Sequence, residues 1–125
     1  MTKICTSLDQ SKKLIELGID VSTADMYWWN NTEEKRYEPS VIDYGFSDMD
    51  ISAWSLNALL ELMPKNESLT IDLCLGGSNG MEHTFDWFCT CDENEDPYDY
   101  KTFHSDNPID AAFEMICWLK ENNKL

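Results

Sequence analysis

Apolar residues recur along this chain at two different spacings, which predict both helices and strands. Spacings of three and four residues predict three helices, over residues 7–18, 52–64 and 107–119. The first helix has Ser7 and Gln10 in a capping-box arrangement and Gly18 after its last turn. The third has Asn107 as its cap and Pro108 at its first position. The two terminal helices are therefore the best-marked elements of the sequence.

Alternation of apolar and polar residues, or enrichment in residues that favour sheets, predicts strands over residues 24–29, 36–44, 69–75, 82–90 and 98–104. Pro39 lacks a backbone N–H, so we expect the second strand to lie at a sheet edge or to break there. Trp28 and Trp29 are consecutive in the first strand, so only one of them can face a core. The glycine-rich residues 76–80 predict a hairpin between the third and fourth strands.

These elements follow in the order α-β-(β)-α-β-β-β-α, where the bracketed strand contains Pro39. Short connections favour antiparallel pairing of neighbouring strands. We therefore expect an α+β fold with two layers, in which three helices pack on an antiparallel sheet of three to five strands. The length of 125 residues is typical of one domain, so we expect a single domain over residues 1–125.

Charge is distributed unevenly along the chain, and this changes the functional picture. The formal net charge is −15. Residues 37–100, which we call the acidic segment, hold 14 carboxylates and one base, Lys65, whereas the two flanks together are nearly balanced. Self-repulsion on this scale opposes a compact state. It usually accompanies a solubility requirement, a bound cation or a basic partner.

The end of the acidic segment has the highest density of carboxylates, and we expect it to bind a partner. The candidate partner-binding residues are Asp86, Asp92, Glu93, Glu95, Asp96 and Asp99. Their charge is complementary to a basic protein surface and resembles that of a nucleic acid. A nucleic-acid-handling enzyme, such as a restriction or CRISPR-type nuclease, is the expected partner. Direct binding to nucleic acid is not expected, because Lys and Arg residues are few. Binding to a membrane is not expected either, because no long apolar run occurs.

No pattern predicts a cofactor, a metal site or a catalytic site. Cys89 and Cys91 lie two apart on a predicted strand, but zinc sites typically use two-residue spacers and a second Cys/His pair. Residues 92–96 begin like a calcium-binding loop, but Pro97 replaces the glycine that its turn requires. We therefore interpret this stretch as a solvated acidic loop.

Two alternative interpretations of the chain remain. One is an acidic structural domain whose charge keeps it in solution without any mimicry. The other is a small hydrolase that uses Cys89 with His83 or His104, or a pair of carboxylates. Neither a small-residue turn nor a helix N-terminus follows Cys89 in the sequence, and this argues against a cysteine nucleophile.

The five cysteines are irregularly spaced, and the first residues lack the apolar run of a secretory signal. We therefore expect a cytoplasmic protein whose thiols are reduced and mostly buried.

Three segments of the chain are similar to one protein family. They are residues 7–19 with 23–26, residues 53–60 and residues 106–113. They resemble short, acidic, uncharacterised proteins of Bacteroides-type gut bacteria and of their prophages and other mobile elements. The resemblance implies no known activity and no functional residues. It does imply a role in conflict between a mobile element and its host, which agrees with an inhibitor of a host enzyme.

Overall fold

The computed structural model describes residues 3–41, 49–64, 69–77, 85–93 and 100–125. The elements are α1 (Leu8–Glu16), a single 3₁₀ turn (Val21–Thr23), β1 (Met26–Asn31), β2 (Arg36–Val41), β3 (Ile51–Ala53), α2 (Leu56–Leu62), β4 (Leu69–Gly77), β5 (Phe85–Glu93), β6 (Tyr100–Ser105) and α3 (Pro108–Glu121). Backbone proximity divides the chain into two compact units, Met1–Ala58 and Leu59–Leu125.

Both ends of α1 are formed by the residues that the sequence marks. The Ser7 hydroxyl oxygen accepts a hydrogen bond from the Gln10 N–H at 3.1 Å, and the Gln10 side chain accepts one from the Ser7 N–H at 2.9 Å. Gly18 has a φ of 87°, the left-handed conformation that ends many helices. The Ile19 N–H then donates to the Leu14 carbonyl at 3.1 Å, as in a Schellman motif.

The first unit contains a three-stranded antiparallel sheet in the order β2-β1-β3. Pro39 belongs to β2 and lies opposite Trp28 of β1. β2 is an edge strand, as the sequence predicts. On one side of this sheet, Cys5, Met26 and Ala53 form a buried cluster, against which Trp28 packs. Burial of this cluster holds the N-terminal segment against the sheet.

Residues 51–53 form β3, which corrects the prediction that the second helix begins at Ser52. α2 begins after Ser55, whose hydroxyl oxygen accepts a hydrogen bond from the Ala58 N–H at 3.3 Å and so caps the first turn. Asp25 holds Ser55 in place, because its carboxylate accepts from the Ser55 N–H at 2.9 Å and also from the Ser55 hydroxyl. The capping residue is therefore Ser55, three residues later than predicted.

A buried hydrogen-bond network around Thr6 joins the N-terminal segment to the sheet. Thr6 is fully buried, its N–H donates to the Trp54 carbonyl at 2.8 Å, and its hydroxyl accepts from the Trp54 N–H at 3.1 Å. The hydroxyls of Thr6 and Ser11 lie 2.8 Å apart, and the Trp28 indole N–H donates to the Thr6 carbonyl at 2.9 Å. Within the described residues, no buried side-chain nitrogen or oxygen lacks a hydrogen-bond partner.

The second unit contains an antiparallel sheet in the order β4-β5-β6, with α3 packed against β5 and β6. Leu73, Cys89 and Phe103 occupy one row across the three strands. α3 begins as predicted, because the Asn107 side chain accepts a hydrogen bond from the Ile109 N–H at 2.8 Å.

The buried face of α3 is rotated slightly from the predicted one. Its buried residues are Ile109, Ala111, Ala112, Met115, Ile116 and Leu119. The apolar spacing of residues 109, 112, 113, 116 and 119 predicts Phe113 in this face and Met115 at its margin. In the structure Phe113 is half-buried, whereas Met115 is fully buried. An unbranched methionine side chain adapts to irregular core space, so its burial here is physically reasonable.

The predicted α+β class is confirmed, with three helices packed against antiparallel strands. The strands form two sheets of three, whereas the sequence predicted one sheet of three to five strands, because the unpredicted β3 completes a separate sheet with β1 and β2. The single domain over residues 1–125 stays a prediction. The predicted hairpin at 76–80 and the acidic loop at 92–97 fall largely outside the described residues.

Candidate functional site

α3 packs on one face of the β4–β6 sheet, against β5 and β6. Side chains alternate between the two faces of a strand, and the odd-numbered Cys89 and Cys91 of β5 are fully buried. Because α3 packs against β5 and β6, these thiols lie within the core that the helix forms with the sheet. Packing therefore occupies this face over β5 and β6, whereas Leu75 of β4, on the same side as Leu73, is 54% exposed.

The opposite face of the sheet bears the even-numbered positions, and we call it the open sheet face. The even-numbered side chains that the structure describes there are Asp72, Cys74, Thr90, Thr102 and His104. Asp72, Cys74 and His104 are exposed, and the two threonines are half-buried. The threonine hydroxyls lie 3.1 Å apart on neighbouring strands, a cross-strand hydrogen bond that stabilises the sheet.

The predicted partner-binding residues fall into two groups. For Asp86, Asp92 and Glu93 of β5 the structure describes the backbone alone, and it places them opposite Gly76, Thr70 and Leu69 of β4, respectively. Glu95, Asp96 and Asp99 lie outside the described residues. Asp86 lies near the start of β5 and Asp92 and Glu93 at its end, about 20 Å away at a rise of about 3.3 Å per residue, so the register does not gather the first group in one place. A binding role for the remaining three stays a prediction.

Asp72 is a site residue that the sequence reasoning missed. It lies opposite Thr90 in β4 and is exposed on the open sheet face. The register makes Asp92 its diagonal neighbour on β5, and diagonal positions in an antiparallel pair are about 7–8 Å apart. The alternation of β4 was a usable signal, since it placed Asp72 on the side away from Leu73, but the sequence could not show which side remains uncovered.

Cys89 is poorly suited to act as a nucleophile. Burial raises the pKa of the Cys89 thiol to about 12, and the nearby Cys91 acts in the same direction. A thiol is reactive as its thiolate, which this environment disfavours. His104 lies opposite Phe88, whereas Cys89 lies opposite Phe103, so the two side chains point to opposite faces of the sheet. The other histidine of the hydrolase alternative, His83, lies outside the described residues.

The remaining candidates for chemistry were the cysteines and the calcium-like loop. All five cysteines belong to the described part of the chain, and none of them forms a disulfide there. Among the described residues, no group of three or more His, Cys, Asp or Glu side chains has a geometry that could hold a metal ion. Of residues 92–96, only the backbone of the first two is described.

The two consecutive tryptophans of β1, in the first unit, lie on opposite faces of their sheet. Trp28 is half-buried against the cluster of Cys5, Met26 and Ala53, whereas Trp29 on the opposite face of β1 is 42% exposed. The prediction that only one of the two tryptophans faces a core is confirmed.

Comparison of the chain with known proteins found no match, neither to a family model nor to a curated protein or a solved structure. In the part of the chain that is described, no helix has the length and the apolar character needed to cross a membrane.

Proposed function

We propose that this chain is a non-enzymatic, cytoplasmic interaction protein that binds a basic protein surface through its acidic segment. The carboxylates would take the place of nucleic-acid phosphates, and the partner would be a nucleic-acid-handling enzyme. The observation that carries the proposal is the separation of charge, because residues 37–100 hold 14 carboxylates and a single base. A charge separation of this size produces a strong local field that attracts a basic surface over several nanometres at low salt.

The open sheet face supports this proposal by its composition. Exposed Asp72 and the hydrogen-bonded pair of Thr90 and Thr102 form a polar row across the three strands. The register adds two further carboxylate-bearing positions on β5, Asp86 and Asp92. A sheet surface held by backbone ladders can present charges at fixed spacing without ordering a loop on binding, which lowers the entropic cost of association.

The hydrolase alternative receives no comparable support. Its cysteine is fully buried with a pKa of about 12, and no described group of metal-binding side chains replaces it. The other alternative is an acidic domain without a binding role. It would have the same fold, and it would differ from the proposed interaction protein only in binding no basic partner. An experiment on binding is therefore the one that separates the two.

The resemblance to mobile-element proteins over residues 7–19 with 23–26, 53–60 and 106–113 favours a role in inhibition. Mobile elements benefit from proteins that block host restriction or CRISPR-type nucleases, and a charge mimic is a compact way to occupy a nucleic-acid channel. The chain would then act by stoichiometric binding, with no turnover.

Competition with nucleic acid tests the proposal. The immobilised protein is used to capture a partner from an extract of the native host at low salt, and the purified partner is then titrated with double-stranded DNA and with RNA. Because the mimic and the nucleic acid would occupy one surface, we expect one of them to release the partner completely. A partner that holds this protein and nucleic acid at the same time would contradict mimicry. A partner whose contact surface is acidic or neutral would contradict the whole proposal.

A further inference from the structure

Trp29 has unusual surroundings for an exposed tryptophan. It lies in β1, the central strand of its sheet, and is 42% exposed, while its neighbours on the same strand face, Tyr27 and Asn31, are 4% and 8% exposed. A single exposed apolar side chain is ordinary at a protein surface, so its exposure alone indicates no site. The polar groups on either side of Trp29 are what distinguish it.

Carboxylates lie near Trp29 on both sides of β1. Glu38 of β2 is its direct antiparallel partner, and side chains in that position have Cβ atoms about 4.5–5.5 Å apart. On the other side, Asp50 precedes β3, is 7% exposed and accepts a hydrogen bond from the Asn30 N–H at 2.8 Å. Glu38 is also held in place, since it accepts from the Asn31 side chain at 3.3 Å. The indole therefore lies on a strand with one anchored carboxylate on β2 and another just before β3.

The chain itself already places a guanidinium beside one of these carboxylates. Arg36 binds Glu38 through an ion pair of 2.8 Å, and its Nε donates to the same carboxylate at 3.0 Å. The Arg36 side chain is 63% exposed and that of Glu38 is 34% exposed, so water screens the pair strongly. Exposed pairs of this kind typically contribute no more than about 1 kcal/mol, and an incoming guanidinium can compete for Glu38.

We propose that Trp29 and Glu38 form a binding surface for an arginine side chain of a basic protein partner. Tryptophan is the best aromatic acceptor for a cation, and the planar guanidinium can stack on the ring while it donates to a carboxylate. Lysine has no plane to stack, so the surface should prefer arginine. The overall charge of −15 favours the approach of such a partner, and pairs of tryptophan and arginine are frequent at the centres of protein interfaces.

This inference depends on the proposed function in one respect only, the basic character of the partner. Trp29 belongs to the first unit, and the open sheet face belongs to the second. Amide substitutions at Asp92, Glu93, Glu95 and Asp96 therefore leave Trp29 and Glu38 intact, and substitution of Trp29 removes no carboxylate of the acidic segment. Failure of one proposal can be distinguished from failure of the other.

The same hairpin offers a matched control. Tyr37 of β2 is 36% exposed and lies opposite Asn30, which places it on the other face of the hairpin from Trp29. Trp29→Leu and Tyr37→Leu thus each remove one exposed aromatic side chain from one hairpin. Only the first removes the ring beside Glu38.

A titration followed by nuclear magnetic resonance tests the inference with a probe too small to bind by charge alone. Wild-type protein labelled with ¹⁵N is titrated with N-acetyl-arginine amide and, separately, with N-acetyl-lysine amide, and the indole N–H signals are recorded. Trp29→Phe assigns the Trp29 signal. The Trp54 indole, which is buried and donates to Thr23 at 3.0 Å, is an internal reference.

We expect the arginine derivative to shift the Trp29 indole signal progressively and the lysine derivative to shift it at least threefold less. The Trp54 signal should not move. Glu38→Gln should reduce the arginine response of Trp29 several-fold, and Tyr37→Leu should leave it unchanged. Equal responses at Trp29 and Trp54, no preference for arginine, or a full response in Glu38→Gln would each overturn the proposal. Because the Trp29 signal is read in chains that keep Trp29, a folding defect of Trp29→Leu cannot obscure the result.

Discussion

Threonines have opposite roles in the two units of this protein. In the first unit, Thr6 is fully buried and bonded to both backbone groups of Trp54. In the second unit, Thr90 and Thr102 bond to each other on an exposed sheet face. The buried network specifies how the N-terminal segment joins its sheet, because its loss would leave polar groups unpaired. The exposed polar face contributes little to the fold, so its carboxylates can be selected for binding.

The largest expected effect concerns the covered face of the second unit. Ile116→Ala in α3 should lower the free energy of unfolding by about 2–5 kcal/mol, because it removes a fully buried side chain and leaves a cavity. Glu114→Ala, on the exposed side of the same helix, should change it by less than about 0.5 kcal/mol. Urea titration measures both. Equal effects at the two positions would show that α3 does not pack as described.

The next effect distinguishes a buried threonine from a half-buried one. Thr6→Val keeps the side-chain shape but leaves the buried Trp54 N–H without its acceptor, which should cost about 1–3 kcal/mol. Thr102→Val on the open sheet face should cost less than about 0.5 kcal/mol, since water can satisfy Thr90. If the order of the two losses were reversed in urea titrations, the comparison between the units would be wrong.

Stability at alkaline pH provides a smaller test of the covered face. Burial raises the pKa of Cys89 from 9.0 to about 12, and burial also raises that of Cys5 to about 11. A raised pKa in the folded state means that the stabilising contribution is complete below pH 9. It is lost as the pH rises through the folded value. The free energy of unfolding should therefore fall between pH 9 and pH 11, and Cys89→Ala should reduce that slope. An identical slope in wild type and variant would contradict the burial of this thiol.

The smallest expected effect is that of salt on the isolated protein. Repulsion within the acidic segment opposes folding, and at 0.1 M salt charges are screened beyond about 10 Å. The melting temperature at neutral pH should therefore rise on addition of NaCl. A flat or falling response would mean that the carboxylates are individually compensated in the folded state.

Local signals predicted the elements that carry their own end markers. Ser7 with Gln10, Gly18 and Asn107 mark the ends of α1 and α3 correctly, because each acts through hydrogen bonds to residues a few positions away. β3 was missed for the opposite reason. Three residues are too few to show alternation, and Ser52 pairs with Tyr27, which lies far away in the sequence. Long-range pairing of this kind leaves no local trace.

The sequence predicted the acidic character of the candidate site but not which side of the sheet it occupies. The density of carboxylates is visible in the sequence, but the contribution of Asp72 depends on which side of β4 the last helix leaves uncovered. Similarly, the alternation of β1 established that Trp28 and Trp29 face opposite ways, while the choice between them required the contact of Trp28 with Cys5 and Met26. Packing between distant elements decides such questions.

The central claim is that position in the acidic segment, and not total charge, determines binding to a basic partner. Two variants test this claim, and each replaces four carboxylates by amides, so both lose four negative charges. The first variant carries Asp92→Asn, Glu93→Gln, Glu95→Gln and Asp96→Asn, all within the acidic segment. The control variant carries four substitutions at exposed positions outside the acidic segment: Asp9→Asn, Glu16→Gln, Glu33→Gln and Glu114→Gln. Both should fold, since solvated carboxylates contribute little packing.

The decisive measurement is the salt dependence of association with the captured partner for wild type and these two variants. We predict that wild type and control bind alike and weaken steeply from low to physiological salt, while the first variant associates several-fold more slowly with a shallower salt dependence. A partner that stays bound to wild type at about 1 M salt, or that responds equally to both sets of substitutions, would contradict the account.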